Sequence, residues 1–300
     1  MIRPSTSAGE SAADDRLALG GAPRPAPLLA ARGLVKTFGR GPLGDRGITA
    51  LADVSLVLDA GEMVALVGGS GSGKTTLARC LIGQLAPDAG EVWLDGAPLL
   101  ARRGAAFRAV RRRVQLVAQD AAAALNPRLR VADALREPLC ADAAALPSPS
   151  SLAARVARLL DEVGLPRALA GRYPHELSGG ERQRVVIARA LSVEPCALIA
   201  DEPVASLDLI KQEHVLDLLC RLQRERGLAC LLISHDLLAV AAVATRLAVM
   251  QAGRIVETGA TATMLRAPTH DYTRALCAAV PRLDGSTKAL REMPDTNAGL

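Results

Sequence analysis

Aromatic residues are almost missing from this sequence, which has one Trp, two Tyr and two Phe in 300 residues. Its core must therefore come from Ala, Leu and Val, within an apolar content of 50%. That content can bury a sizeable core. The length fits one large α/β domain, or one domain plus a small lobe. Long apolar runs are missing too. The run Leu237 to Ala244 is bracketed by Asp236 and Arg246, far below the ~20 residues of a membrane span. Any action at a membrane then needs a separate partner. The six cysteines, Cys80, Cys140, Cys196, Cys220, Cys230 and Cys277, form no CxxC pair and no metal-knuckle spacing. They are expected as buried free thiols of a reducing compartment. Residues 1–27 carry Asp14 and Asp15 and lack the continuous apolar core of a secretory signal. They read as a disordered leader. The formal charge of +5 could suit nucleic acid, but the only tight basic run is Arg111-Arg112-Arg113, with no aromatics interleaved. A dispersed surface charge and no nucleic-acid partner are expected.

The pattern along the chain supplies the fold class. Leu28 to Val35 reads as a strand, followed by a Gly-rich turn over 39–47. Two short strands, Ile48 to Leu51 and Val54 to Leu58, precede a buried one, Met63 to Val67. These short strands suggest an antiparallel edge subdomain. From about Ala101 to Pro174 the chain reads as mostly helical, with helices over Val131 to Leu139 and Leu152 to Val163. The Pro/Ser stretch Leu146 to Ser151 separates them. From Leu177 onward helices alternate with the apolar strands Ala197 to Ala200, Leu228 to Ile233 and Arg246 to Met250. Such alternation implies a parallel sheet covered by helices. Residues 284–300 read as a loose polar tail.

Two motifs carry chemistry. Gly68-Gly69-Ser70-Gly71-Ser72-Gly73-Lys74-Thr75 satisfies GxxxxGK[ST] between an apolar strand and a helix expected over Thr75 to Leu85. Glycines let the backbone wrap a phosphate with its N–H groups inward, and the helix N-terminus adds positive potential. Lys74 would neutralise the β- and γ-phosphates of ATP, Thr75 would offer a hydroxyl to Mg²⁺, and Thr76 follows in the same turn. Downstream, the strand Ala197 to Ala200 delivers Asp201-Glu202 at its C-terminal edge. There Asp201 can hold Mg²⁺ through water and Glu202 can polarise the attacking water. Alone, an Asp-Glu pair after an apolar run is commonly a solvated strand end; the loop upstream favours the catalytic reading.

Between them lies Leu177-Ser178-Gly179-Gly180-Glu181-Arg182-Gln183-Arg184, which resembles the LSGGQ-type signature of ABC ATPases, with Glu181 where Gln is frequent. Without the family, Ser178 would be only a good N-cap for a helix over Arg182 to Leu191. Other elements resemble the family in order. Gln119, after Val114 to Val117, looks like the Q-loop glutamine, Ser206-Leu207-Asp208 like the D-loop, and His235 in Ile233 to Asp236 like the switch histidine. Phe38 is similar to the aromatic that stacks on adenine. The other histidines, His175, His214 and His270, read as surface or packing residues.

The resemblance covers about Leu28 to Pro281. It narrows to dipeptide, oligopeptide and nickel importer ATPases through Gln119-Asp120, Ala124 to Arg128, Tyr173 to Leu177, Ala267 to Leu276 and Ala279 to Pro281. Ala118 and Ala121 depart from the usual aromatic and proline. The longer cysteine-clustered extension of many peptide-importer members is not seen, as in nickel-type members. The resemblance implies a P-loop ABC cassette over 28–283, with a parallel core sheet, an antiparallel β subdomain and a helical subdomain over about 101–178. It implies ATP bound by Phe38, residues 68–76, Gln119, Asp201 and Ser178, Gly179 and Gly180, with Mg²⁺ held by Thr75, Gln119 and Asp201. Glu202 and His235 would be catalytic. The implied partners are membrane permease subunits, a second ABC ATPase (identical or different) and an extracytoplasmic substrate-binding protein, on the cytoplasmic face of the inner membrane. The competing class is a non-transport ABC ATPase of nucleic acid or ribosomes. Such proteins typically carry a long coiled coil, zinc-binding cysteine pairs or two cassettes, none of which this sequence shows.

Overall fold

Two β-sheets organise the described residues. The computed structural model describes residues 26–39, 47–100, 104–140, 148–205 and 207–279. Outside them lie most of the expected leader, the tail over 284–300, most of the Gly-rich turn, Ser206 and the end of the C-terminal tract. The strands are β1 (Leu29–Phe38), β2 (Ile48–Leu58), β3 (Met63–Val67), β4 (Ala89–Leu94), β5 (Ala97–Pro98), β6 (Val114–Val117), β7 (Ala197–Asp201), β8 (Ala229–Ser234), β9 (Arg246–Gln251) and β10 (Arg254–Ala260). One sheet is antiparallel, ordered β2-β1-β4-β5. The other is ordered β10-β9-β3-β8-β7-β6, parallel except for β10.

The parallel sheet follows from its sequence. Every residue of β3, β7 and β8 is buried, as a sheet covered on both faces requires. Because side chains alternate along a strand, Met63, Ala65 and Val67 enter one core with the buried faces of the long helices. Val64 and Leu66 enter another, shared with the antiparallel sheet.

Two expected short strands are one. Asp53 has φ 63°, and the partner of β1 jumps from Val54 at Leu34 to Ala52 at Val35. Asp tolerates that left-handed conformation, so the break is a β-bulge within β2 and not a turn. Strands β4, β5 and β10 add to the strands expected from the sequence. On β4, Trp93 lies beneath the Arg32 guanidinium at 4.8 Å from its ring centroid and donates Nε1–H to Glu91 at 3.0 Å.

The helices are α1 (Lys74–Leu81), α2 (Gly104–Arg113), α3 (Ala121–Ala124), α4 (Val131–Leu139), α5 (Pro149–Glu162), α6 (Gly179–Leu191), α7 (Leu209–Arg226), α8 (Leu237–Ala241), α9 (Thr261–Arg266) and α10 (Asp271–Ala279). Among the described residues no helix is long and apolar enough to cross a membrane. Three starts and stops correct the expectations. Helix α1 ends at Leu81 rather than Leu85, because Gly83 turns left-handed with φ 67°. The Pro/Ser stretch does not simply separate helices. Ser148 accepts the Ser151 N–H at 3.3 Å and Pro149 opens α5, the capping arrangement a first-turn proline allows. Helix α6 begins at Gly179 rather than Arg182.

The basic run ends α2, where positive charge suits the helix C-terminus. Arg113 pairs with Asp95 and Arg111 lies 5.9 Å from the Phe107 ring centroid. All six cysteines are free, but only Cys80, Cys220 and Cys230 are buried. Burial pushes the Cys230 thiol up to about 12 and Cys80 up to about 11.

Candidate active site

The loop from β3 to α1 is shaped by positions that exclude a side chain. A Cβ at Gly68 would lie 2.1 Å from the Met250 carbonyl oxygen on β9, and one at Gly73 2.3 Å from that of Ala50 on β2. Gly73 also caps α1 in the left-handed region, with φ 107°. Lys74 curls back over the loop. Its Nζ donates to the carbonyls of Gly68 at 2.8 Å and Gly69 at 2.9 Å, and to Ser72 Oγ at 3.3 Å. Burial lowers its pKa, opposed by the negative charges of Glu202 and Asp201. Ser70, Gly71 and Thr75 remain exposed, with Thr76 half-buried behind them.

The carboxylates arrive from β7, two strands away across β8. Asp201 is buried at 5% exposure, and its Oδ1 has no hydrogen-bond partner among the described residues. Burial raises its pKa, while hydrogen bonding from the Thr75 side chain works in the opposite direction. Glu202 sits in the left-handed region with φ 49° and donates its N–H to the Ile233 carbonyl of β8 at 2.8 Å. Its carboxylate bridges two side chains. Oε2 accepts from Gln119 Nε2 at 3.1 Å, and Oε1 lies 3.2 Å from His235 Nδ1. Gln119 follows β6, Glu202 follows β7 and His235 follows β8. Because these strands are adjacent and parallel, their C-terminal ends bring the three residues together, beside the loop that follows β3. Ligands of open α/β sheets bind at this edge. An unpartnered, buried carboxylate oxygen beside a threonine hydroxyl suits a hard divalent cation.

Two expected groups lie apart from this cluster. Phe38, 44% exposed, pairs with Ile48 at the end of β1, two residues before Ala50. Lys36 Nζ lies 5.8 Å from its ring centroid. Ser178, Gly179 and Gly180 open α6. Ser178 Oγ accepts the Glu181 N–H at 3.3 Å, and Glu181 Oε2 accepts the Ser178 N–H at 2.8 Å. This capping box accepts Glu or Gln at its third helical position, so Glu181 keeps the local geometry of the more frequent Gln. The Ser178 N–H holds the Glu181 carboxyl below its ordinary range. Gly180 is buried against α7, where an added Cβ would lie 3.2 Å from Lys211 Cδ.

One contact lies outside every motif. The Tyr272 hydroxyl on α10 accepts the Gly69 N–H at 2.8 Å. No spacing rule joins residues so distant; the only signal was the resemblance of the Ala267 to Leu276 tract.

Comparison with known proteins agrees with this architecture. Residues 51–205 match the family described as ABC transporter, and residues 256–299 match the oligopeptide/dipeptide transporter C-terminal region. The chain is 48% identical over 253 residues to a Brucella abortus protein named as a peptide import ATP-binding protein, covering 83% of this chain and 75% of that one. A Brucella ovis protein of the same description is 39% identical over 267 residues, covering 89% and 83%. Among solved structures, cbiO1 from Clostridium perfringens, part of the ABC transporter complex cbiONQ, superposes with a TM-score of 0.71 at 27% identity, covering 87% of this chain and 99% of that one. The dimeric ATP-binding cassette MJ0796, in a post-hydrolysis state bound to ADP and Pi, gives 0.70 at 28% identity, covering 78% and 98%. The chain belongs to the ABC transporter ATPase family. Within it, the chain is an ATP-hydrolysing cassette joined to the oligopeptide/dipeptide-type C-terminal region.

Proposed function

We propose that this chain is the ATP-hydrolysing subunit of a peptide importer, working on the cytoplasmic face of the inner membrane. The observation that carries the chemistry is the Glu202 carboxylate, held between Gln119 and His235 beside the buried Asp201. The peptide reading rests on the names of the Brucella relatives and the C-terminal region match. Nickel, the other cargo expected from the sequence, has no comparable support among them.

ATP lies along residues 68–76, with its adenine toward Phe38. Lys74, seated over the loop by the Gly68 and Gly69 carbonyls, turns the N–H now on Ser72 Oγ toward the β- and γ-phosphates. Thr75, Asp201 and Gln119 would hold Mg²⁺, which would offset phosphate charge. Glu202 orients a water and takes its proton as the water oxygen bonds to the γ-phosphorus. The bond to the β–γ bridging oxygen breaks, giving ADP and inorganic phosphate. Gln119 and His235 fix the carboxylate's direction, and His235, 58% exposed in its side chain, is free to meet the γ-phosphate. Catalysis is then chiefly positioning and electrostatics.

Two cassettes close head to tail, so that Ser178, Gly179 and Gly180 of the second copy meet the γ-phosphate. That second copy is either identical or a different ABC ATPase. The region from Gln119 to Arg128 passes closure to the permease subunits, which receive peptide from an extracytoplasmic binding protein. The cassette spans 28 to about 283, with its helical subdomain over about 101–178 apart from β6, which belongs to the parallel sheet. No nucleic-acid partner is part of this reading.

The test is reconstitution with its permease in vesicles. A peptide-loaded binding protein should stimulate ATP hydrolysis and ATP should drive peptide uptake, both lost with Glu202→Gln. Stimulation by nickel but not by peptides, or by RNA or DNA in place of the permease, overturns the cargo or the class.

A further inference from the structure

Helix α10 carries a side chain that the hydrolytic reading leaves unused. Tyr272 lies 203 positions from Gly69, yet its hydroxyl accepts the Gly69 N–H at 2.8 Å. That N–H and the Gly68 carbonyl belong to one peptide unit. The carbonyl accepts from Lys74 Nζ at 2.8 Å. The described residues contain no cis peptide bond, and in a trans unit the two groups point to opposite sides. This unit is therefore pinned at both edges, by Lys74 on one and Tyr272 on the other.

The pinning matters because the unit joins two glycines. Without a Cβ on either side, such a linkage rotates more freely than any other. A half-turn would take the Gly68 carbonyl away from Lys74 and put an N–H in its place. The loop cannot stiffen itself with a side chain at Gly68, because a Cβ there would meet the Met250 carbonyl at 2.1 Å. Lys74 restrains the carbonyl edge from within the loop, and the N–H edge is restrained from outside it.

Tyr272 is itself well anchored. Glu257 on β10 accepts from the Thr269 N–H at 2.8 Å, the Thr269 hydroxyl at 2.9 Å and the His270 N–H at 3.1 Å. His270 Nδ1 then accepts the Tyr272 N–H at 3.1 Å. The Tyr272 ring packs against the helical core. Strand β10 pairs with β9, the strand whose Met250 carbonyl lies against Gly68. Anchor and loop are thus tied to the same pair of strands.

We propose that Tyr272 is a positioning residue for ATP, whose hydroxyl selects the conformation of the Gly68–Gly69 peptide that receives the phosphates. The inference rests on residues 68–75 being the phosphate loop. A loop that samples the rotated peptide binds only through its competent fraction, so its apparent affinity falls by that fraction. Once ATP is bound the loop is the same, and hydrolysis proceeds as before.

The test is Tyr272→Phe in the full chain, which removes one oxygen. Equilibrium Mg-ATP binding and steady-state hydrolysis should show Kd and KM raised roughly 2- to 10-fold, the effect of one neutral hydrogen bond, with kcat unchanged. Unaltered or lowered KM, or a loss confined to kcat, overturns the assignment. Lys74→Ala measured alongside separates the two levels. If it keeps wild-type affinity, the phosphate-loop reading falls. If it loses affinity while Tyr272→Phe does not, only the role of Tyr272 falls. Should Tyr272→Phe not fold, glycine amide exchange in the wild-type chain decides. Slower exchange at Gly69 than at the exposed Gly71 supports the bond, and equal exchange overturns it.

Discussion

Glu202 is held at two points, its N–H by Ile233 of β8 and its Oε2 by Gln119, with His235 Nδ1 3.2 Å from Oε1. Glu202→Gln keeps the shape and removes the base. Mg-ATP affinity should stay near wild type while turnover falls about 10²- to 10⁴-fold; near-normal phosphate release would move the base elsewhere. Lys74 differs, because its partners in this state are the loop's own carbonyls. Lys74→Ala leaves a folded loop without its fixed cation, so calorimetric titration with Mg-ATP should show affinity sharply reduced. A wild-type isotherm would refute the loop assignment.

At the scale of elements, the start of α6 separates a structural cap from a binding role. Ser178→Ala loses an N-cap hydrogen bond worth about 1 kcal/mol, which thermal unfolding would register with or without nucleotide. If Ser178 also meets a partner's γ-phosphate, turnover should fall well beyond what that loss of stability explains, with single-chain ATP binding unchanged. Equal turnover would leave Ser178 a cap alone.

The anchor of α10 carries a pH signature. Burial opposes ionisation of Glu257, but the Thr269 N–H and the hydrogen bonds joining it bring its carboxyl down to about 2 from an ordinary 4.5. A folded pKa below the unfolded one stabilises above the unfolded value and is lost as pH falls through the folded one. The anchor should therefore be intact at neutral pH and lost progressively from about pH 4.5 toward 2. Acid unfolding of Glu257→Gln followed against wild type should show a shallower pH dependence in that window. Parallel curves would show that the anchor does not stabilise the fold.

Elements with a local cause were readable from the sequence. Strand β3 and helix α4 have the expected bounds, Met63–Val67 and Val131–Leu139, because a continuous apolar run and a helical apolar spacing each identify one structure. The loop after β3 was readable from its motif, although the strands that exclude a side chain at Gly68 and Gly73, through Met250 and Ala50, lie far away in sequence. Strand β10 was not, because its residues are exposed or only half-buried and its edge position comes from pairing with β9. Pro149 suggests a break because proline interrupts helices in general, whereas Ser148 makes it a beginning. The Gly69–Tyr272 contact and the grip of Glu257 on Thr269 and His270 depend on chain topology. Nothing in the spacing of those residues announces them.

The whole molecule gathers its candidate chemistry at one sheet edge while Ser178 to Gly180 open a helix elsewhere, and a head-to-tail pair would complete both sites. Gly180→Asp tests this in trans. The neighbour of its new Cβ is the flexible Lys211 methylene at 3.2 Å, so the fold should yield and survive, while the carboxylate repels a partner's phosphate. If identical chains pair, mixing Gly180→Asp with Lys74→Ala should restore part of the hydrolysis each lacks alone. One composite site of the mixed dimer then carries both lesions and the other carries neither. No recovery, with mixed dimers shown by size analysis, would mean that the two sites fire together or that the signature acts in cis.

The shortage of aromatic residues gives the protein an optical simplicity. Its one tryptophan, Trp93, stands on β4 in the antiparallel sheet under the Arg32 guanidinium. Strand β4 pairs with β1, which ends at Phe38. Red-edge excitation of the native chain therefore reads a single fluorophore in the sheet that bears the candidate adenine platform. Of the two tyrosines, one has its hydroxyl on the Gly69 amide. Trp93 pairs with Ala30, at the opposite end of β1 from Phe38, so its emission follows the unfolding of this sheet without an attached dye.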